Sequence, residues 1–206
     1  MTTIRSTTAW SLGAVLAAAG GGVAAGALTA YLQGELSADW NTIANSGAAW
    51  TLVAALVAGL LARQRTTAAV VGLLVLVGEV VGYYAYVTQV EHLGVLRAEE
   101  ALWTVAAIWI GPVAGAAAFA VRWGSARDRI VALLAFCGVL GGEGTYLAHV
   151  AGVPRAGLVE VVLAVTGAVV ALVAVPATAW WRLGGGLAGF AVAAGVYLAY
   201  AQPLIA

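Results

Sequence analysis

Val77-Gly78-Glu79-Val80-Val81-Gly82-Tyr83-Tyr84-Ala85-Tyr86 lies in the middle of a long apolar run. A run of this length and composition reads as a helix in hydrocarbon, since a spanning helix needs roughly 20 apolar residues. Glu79 sits inside it with no basic residue nearby in sequence. Glu79, Tyr83 and Tyr86 are spaced i, i+4, i+7, so a helix places them on one face. Gly142-Glu143-Gly144-Thr145-Tyr146 offers a second acid and tyrosine, at i, i+3. Tyr197-Leu198-Ala199-Tyr200 repeats the aromatic part without the acid.

Composition points the same way. The chain is 63% hydrophobic and 9% charged over 206 residues, where a soluble domain carries about 25% charged residues. The expected fold is all-α, a polytopic membrane bundle forming one transmembrane domain over residues 1–206. Seven spans are expected, at about 9–33, 44–63, 67–90, 100–122, 129–151, 157–181 and 184–202. The first is read as a span and not as a cleaved leader, being long for one. Gly22 and Gly26 form a GxxxG pair suited to close helix packing. The balanced charge gives no reason to expect nucleic acid. All nine basic residues are arginine, so a retinal Schiff base, which needs a lysine amine, is excluded. Cys137 is single, which excludes an intrachain disulfide or a thiolate metal cluster, and reads as a core residue.

Arg5, Arg63, Arg65, Arg122, Arg127, Arg129 and Arg182 fall at the amino terminus and in every second connection. The other connections hold Arg97 and Arg155 among Glu35, Asp39, Glu91, Glu99 and Glu100. This bias predicts a cytoplasmic amino terminus and an outside carboxyl terminus. With high Ala, Gly and Val and arginine in place of lysine, the expected location is a bacterial cytoplasmic membrane.

Tyr83-Tyr84-Ala85-Tyr86, Tyr146-Leu147-Ala148-His149 and Tyr197-Leu198-Ala199-Tyr200 align without gaps. The chain therefore reads as one helix followed by three related hairpins, and repeated hairpins commonly place a site where they meet. Pro112 and Pro176 are possible kinks.

Glu79 and Glu143 fall near mid-membrane, where a lone carboxyl group tends to remain protonated. Intramembrane acids are functional candidates: proton donors or carriers, or partners for a cation. Glu160 lies nearer a span end and can reach the interface. Trp50, Trp103, Trp109, Tyr83, Tyr86, Tyr146 and Tyr197 are candidates to line a cavity, although part of the set belongs to an interfacial belt. The amides of Asn41 and Asn45 either cap the second span or line a polar cavity. His149 reads as interfacial. The sequence shows no zinc spacing, phosphate loop or Asp-rich diphosphate motif, and no metal or cofactor is expected.

Two resemblances stand beside this reading. The entry to the second span, Asn45-Ser46-Gly47-Ala48-Ala49-Trp50, resembles a segment in small actinobacterial membrane proteins of unknown function. Seven spans in about 200 residues, isolated intramembrane acids and abundant Trp and Tyr resemble the small integral-membrane terpene cyclases. That likeness implies a proton-initiated cyclase acting on a linear prenyl or aryl-prenyl substrate. Glu79 or Glu143 would be the acid and the aromatic residues would stabilise a carbocation. The alternative is a transporter or substrate-binding subunit for a small cationic or aromatic solute. Either way the partners are a hydrophobic small molecule and membrane lipid, with protein partners left open.

Overall fold

The computed structural model describes residues 12–94 and 97–201. Among the described residues eight helices follow one another: α1 Leu12–Glu35, α2 Ala38–Ala44, α3 Gly47–Leu61, α4 Arg65–Gln89, α5 Arg97–Trp123, α6 Ala126–His149, α7 Pro154–Ala174 and α8 Ala179–Tyr200. All but α2 and α3 are long and apolar enough to cross a membrane. The outer surface is apolar too: Val173 is 78% exposed and Phe190 74%. In water that would be an aggregation liability; in lipid it is an ordinary surface. The chain is a multi-pass helical membrane bundle. Arg5 and the first residues of the first expected span lie outside the described residues.

The second expected span, 44–63, is shortened to α3, and the connection before it carries the short helix α2, separated from α3 by a break at Asn45-Ser46. The break has a local cause. Ser46 is extended, and its hydroxyl accepts the Ala49 N–H at 3.1 Å as the N-cap of α3. A capped start at Gly47 leaves α3 with 15 residues, about 22 Å at about 1.5 Å per residue. That falls short of a hydrocarbon core of about 30 Å. Ser46 is 2% exposed, so α3 begins inside the bundle.

α3 packs on α4 and α5 on α6, but the last of the three hairpins is corrected. α7 and α8 flank α6 instead of packing on each other, and α4 is flanked in the same way by α1 and α5. The cause is where glycine lies. Lipid gives no hydrophobic reason for helices to associate, so close backbone approach decides the partner. Gly22 and Gly26 of α1 meet the backbone of α4 at Val75 and Glu79, while Gly78 and Gly82 of α4 meet α1 at Ala19 and Val23. Gly138 and Gly142 of α6 meet Gly189 and Ala193 of α8 likewise. Each central helix carries one buried glutamate, Glu79 on α4 and Glu143 on α6. α5 continues through Pro112, whereas Pro176 follows the end of α7.

At its other end α3 is capped from α5. Arg122 donates to the Gly59 carbonyl at 2.6 Å and to Leu60 at 3.4 Å. These are orphan carbonyls of a helix C-terminus, where a cation is favoured. Arg122→Ala should lower stability by about 1 kcal/mol, because the contact is exposed; unfolding in mixed micelles measures it.

Candidate functional site: a carboxylate seated on a buried helix start

The start of α3 leaves backbone N–H groups without intrahelical partners, and Glu143 of α6 fills them. Its Oε1 accepts from Gly47 N at 3.0 Å, and its Oε2 accepts from Ala48 N at 2.6 Å and the Ser46 hydroxyl at 3.1 Å. The Tyr200 hydroxyl, from the end of α8, lies beside Gly47. Three donors converge on one side chain that is 3% exposed. They lie at the positive end of the α3 helix dipole, which suits a carboxyl group. Gly47 makes room for this, since a Cβ there would run into the Tyr200 hydroxyl.

Beside this carboxylate lies a cavity of about 280 Å³. α3 contributes Trp50 and Thr51, α4 Leu76 and Val80, α5 Trp103 and Ile110, and α8 Val196 and Tyr200. Glu143 lines it, and the rest of the wall is almost wholly apolar. α5 and α8 approach at Trp103 and Tyr200, and Leu102 and Ile110 on the rim are 40% and 44% exposed. The slot between those helices therefore faces lipid. The Trp103 and Tyr200 rings lie 6.1 Å apart, and Tyr146 backs Tyr200 at 5.2 Å. The buried Trp50 indole N–H has no partner, which leaves a donor for an acceptor on a bound molecule.

Residues 5–206 match the model of a family of unknown function, DUF6518. The chain belongs to that family. No curated protein and no solved structure matches it.

Of the candidates named from sequence, this DUF6518 chain brings Glu143, Trp50 and Trp103 to the cavity, with Tyr146 behind Tyr200. Tyr83 and Asn45 line a smaller neighbouring pocket of about 90 Å³, with Tyr84 and Glu99. Tyr83 does not share a bond with Glu79. It donates to Gln33 of α1 at 2.6 Å and packs on Trp50 at 5.5 Å. Tyr86 packs on Tyr31 of α1, away from the cavity. Tyr197 is half-buried and lines neither pocket. Trp109 is 74% exposed and faces outward. Glu79 is 2% exposed, and its Oε2 is buried without a partner, but it does not line the cavity. His149 is exposed at the end of α6.

Sequence reasoning missed three participants. Ser46 had a signal, a serine three residues before Ala49 at a helix entrance. The amide of Asn45 next to it does not cap α3; Asn45 closes α2 through its backbone N–H. Tyr200 stood in the aromatic repeat, but only the packing of α8 on α6 brings it to Glu143. Glu160, expected near an interface, is 2% exposed, at the crossing of α7 with α6 by Gly144.

Proposed function

We propose that the chain is a membrane-embedded binding or transport protein for a small amphipathic organic cation carrying an aromatic or apolar body. One observation carries the reading: Glu143 sits on the positive start of α3, with three donors on its carboxyl group, at the inner wall of an aromatic cavity. A buried anion facing aromatic rings suits a weakly hydrated organic cation. The arginine bias supports an orientation with the amino terminus in the cytoplasm and the slot in the half of the membrane remote from it. A bacterial cytoplasmic membrane fits the composition.

The proton-initiated cyclase is the second reading. The lateral slot favours it, because a prenyl chain could enter from lipid. It requires a proton on Glu143, or on Glu79 outside the cavity, and donors converge on both oxygens of Glu143. The two readings separate in one pair of assays. The transport reading predicts saturable binding of benzyltrimethylammonium in nanodiscs, uptake into proteoliposomes, and no isomer from farnesyl compounds in D₂O. A product of unchanged skeleton carrying one carbon-bound deuterium, lost in Glu143→Gln, would establish the cyclase instead.

The aromatic wall gives a contrast within one helix. Trp103→Ala should weaken benzyltrimethylammonium about tenfold, the loss of one desolvated cation–π contact. Trp109→Ala, two turns away and facing outward, should leave affinity unchanged. Quenching of tryptophan fluorescence reads both.

A further inference from the structure

Arg63, Arg65, Arg122, Arg127, Arg129 and Arg182 gather at one end of the bundle, where α3, α5 and α7 end and α4, α6 and α8 begin. Asp128 is the one acid at that end among the described residues. A bias of this kind orients a membrane protein and is not by itself a site. At one place it stands over a groove. The groove, about 760 Å³, lies between α5 and α6 and reaches the arginine end. Its origin is again the glycine pattern. α5 turns Gly111 and Gly115 onto α4, and α6 turns Gly138 and Gly142 onto α8. The faces left along the groove carry Val113, Ala116, Ala117 and Ala120 of α5 and Val131 and Ala135 of α6. Without glycine on either face, no close backbone crossing seals the seam.

The dimensions and the charge of the groove both suit a lipid. From Val113 to Gly124 it follows α5 for about 16 Å, at about 1.5 Å per residue. That is about half of a hydrocarbon core of about 30 Å, the depth that acyl chains of one leaflet occupy. At the mouth stand Arg65 of α4 and Arg127 of α6, with Asp128. Arg127 Nε donates to Asp128 Oδ1 at 3.4 Å, and Asp128 Oδ2 accepts the Ser125 hydroxyl at 2.7 Å. A guanidinium has five N–H donors in a fixed fork, so the two terminal nitrogens of Arg127 remain for an anion. The Trp181 ring of α8 backs that guanidinium at 4.7 Å. Two arginines against one aspartate leave the mouth one net positive charge, which one phosphate diester neutralises. Arginine suits that partner, because its planar fork matches phosphate oxygens.

We propose that this groove is a site for one anionic glycerophospholipid, its acyl chains against the alanine wall and its phosphate diester held by Arg65 and Arg127. The groove shares no lining residue with the cavity at Glu143, so the inference stands apart from the cation reading. A zwitterionic lipid is the poorer occupant, because its head group brings a cation to the same two arginines.

Native mass spectrometry of the full chain tests this, on protein released from nanodiscs holding equal phosphatidylglycerol and phosphatidylcholine of identical chains. The expected result is one retained phosphatidylglycerol per chain, preferred about fivefold, the worth of one charge near a membrane surface. Arg65→Gln or Arg127→Gln brings the mouth to zero net charge and should abolish the preference. Both side chains are exposed, so both variants should keep their helix content by circular dichroism. Arg63→Gln, at the same end but outside the groove, should keep the preference. Ala117→Phe fills the wall without changing charge and should lower retention of both lipids. Equal retention of the two lipids by the unaltered chain overturns the proposal. A loss in Arg63→Gln equal to that in Arg127→Gln, or unchanged retention in Ala117→Phe, assigns the effect to general surface charge and overturns the groove. Displacement of the lipid by millimolar inorganic phosphate would make the mouth a soluble-phosphate site, and a lipid-free dimer would put a second chain there; either overturns the lipid as occupant.

Discussion

Glu143→Leu should lower stability by about 3–5 kcal/mol and abolish cation binding, the largest effect expected of any single side chain. The substitution is close in volume, so the loss is not one of packing. It strands the N–H groups of Gly47 and Ala48 and the hydroxyl of Ser46, all turned toward the same carboxyl group. A buried donor without an acceptor costs about 1–3 kcal/mol, and breaking a buried charged contact costs about 3–5 kcal/mol. Water cannot take over easily, because the start of α3 lies inside the bundle. Glu143→Gln should be milder, about 1–3 kcal/mol, since one oxygen remains and the amide opposes a donor. It should nevertheless lose the cation, because the amide has no charge. Detergent-induced unfolding followed by circular dichroism gives the stabilities, and titration calorimetry gives the binding.

Gly26→Leu should separate α1 from α4 at a cost of about 3 kcal/mol, the upper end of the usual range for overpacking. A Cβ at Gly26 would collide with the Glu79 carbonyl, and backbone cannot move as a flexible side chain would. Gly21→Leu on the same helix meets nothing within 4 Å. It should be neutral or stabilising by up to about 1 kcal/mol through helix propensity. The pair isolates backbone contact from the chemistry of the substitution. Equal effects in the same unfolding assay would contradict the close α1–α4 crossing. Glu79 lies on the α4 side of that crossing, so Gly26→Leu should also disturb its burial.

Much of this architecture is written in runs of residues, and the rest in which faces meet. Glu79 and Glu143 stood out because a carboxyl group in an apolar run has no sequence neighbour to pair with. Gly22 and Gly26 announced a packing face, but not that Gly78 and Gly82 would receive it. The short helix α2 was hidden because its residues, with Asp39 and Asn41 among them, read by hydropathy as a polar connection. Trp109 was misplaced for a reason particular to membranes. Lipid and bundle interior are both apolar, so periodicity cannot tell an outward tryptophan from the inward Trp103 six residues earlier. Glu160 was underestimated because distance from a span end measures depth, not burial, and its burial comes from Gly144 and Gly157 on two different helices. The segment quoted for its resemblance, Asn45 to Trp50, contains the α3 start on which Glu143 sits.

The most direct test of the cavity as a cation site is an experimental structure with 4-bromobenzyltrimethylammonium, located by the anomalous signal of bromine. The account predicts a bromine peak in the slot between α5 and α8, with the ammonium group toward Glu143 and among Trp50, Trp103 and Tyr200, and no peak in Glu143→Gln. A peak that persists in Glu143→Gln, or a slot filled by an acyl chain while the cation binds elsewhere, would contradict it.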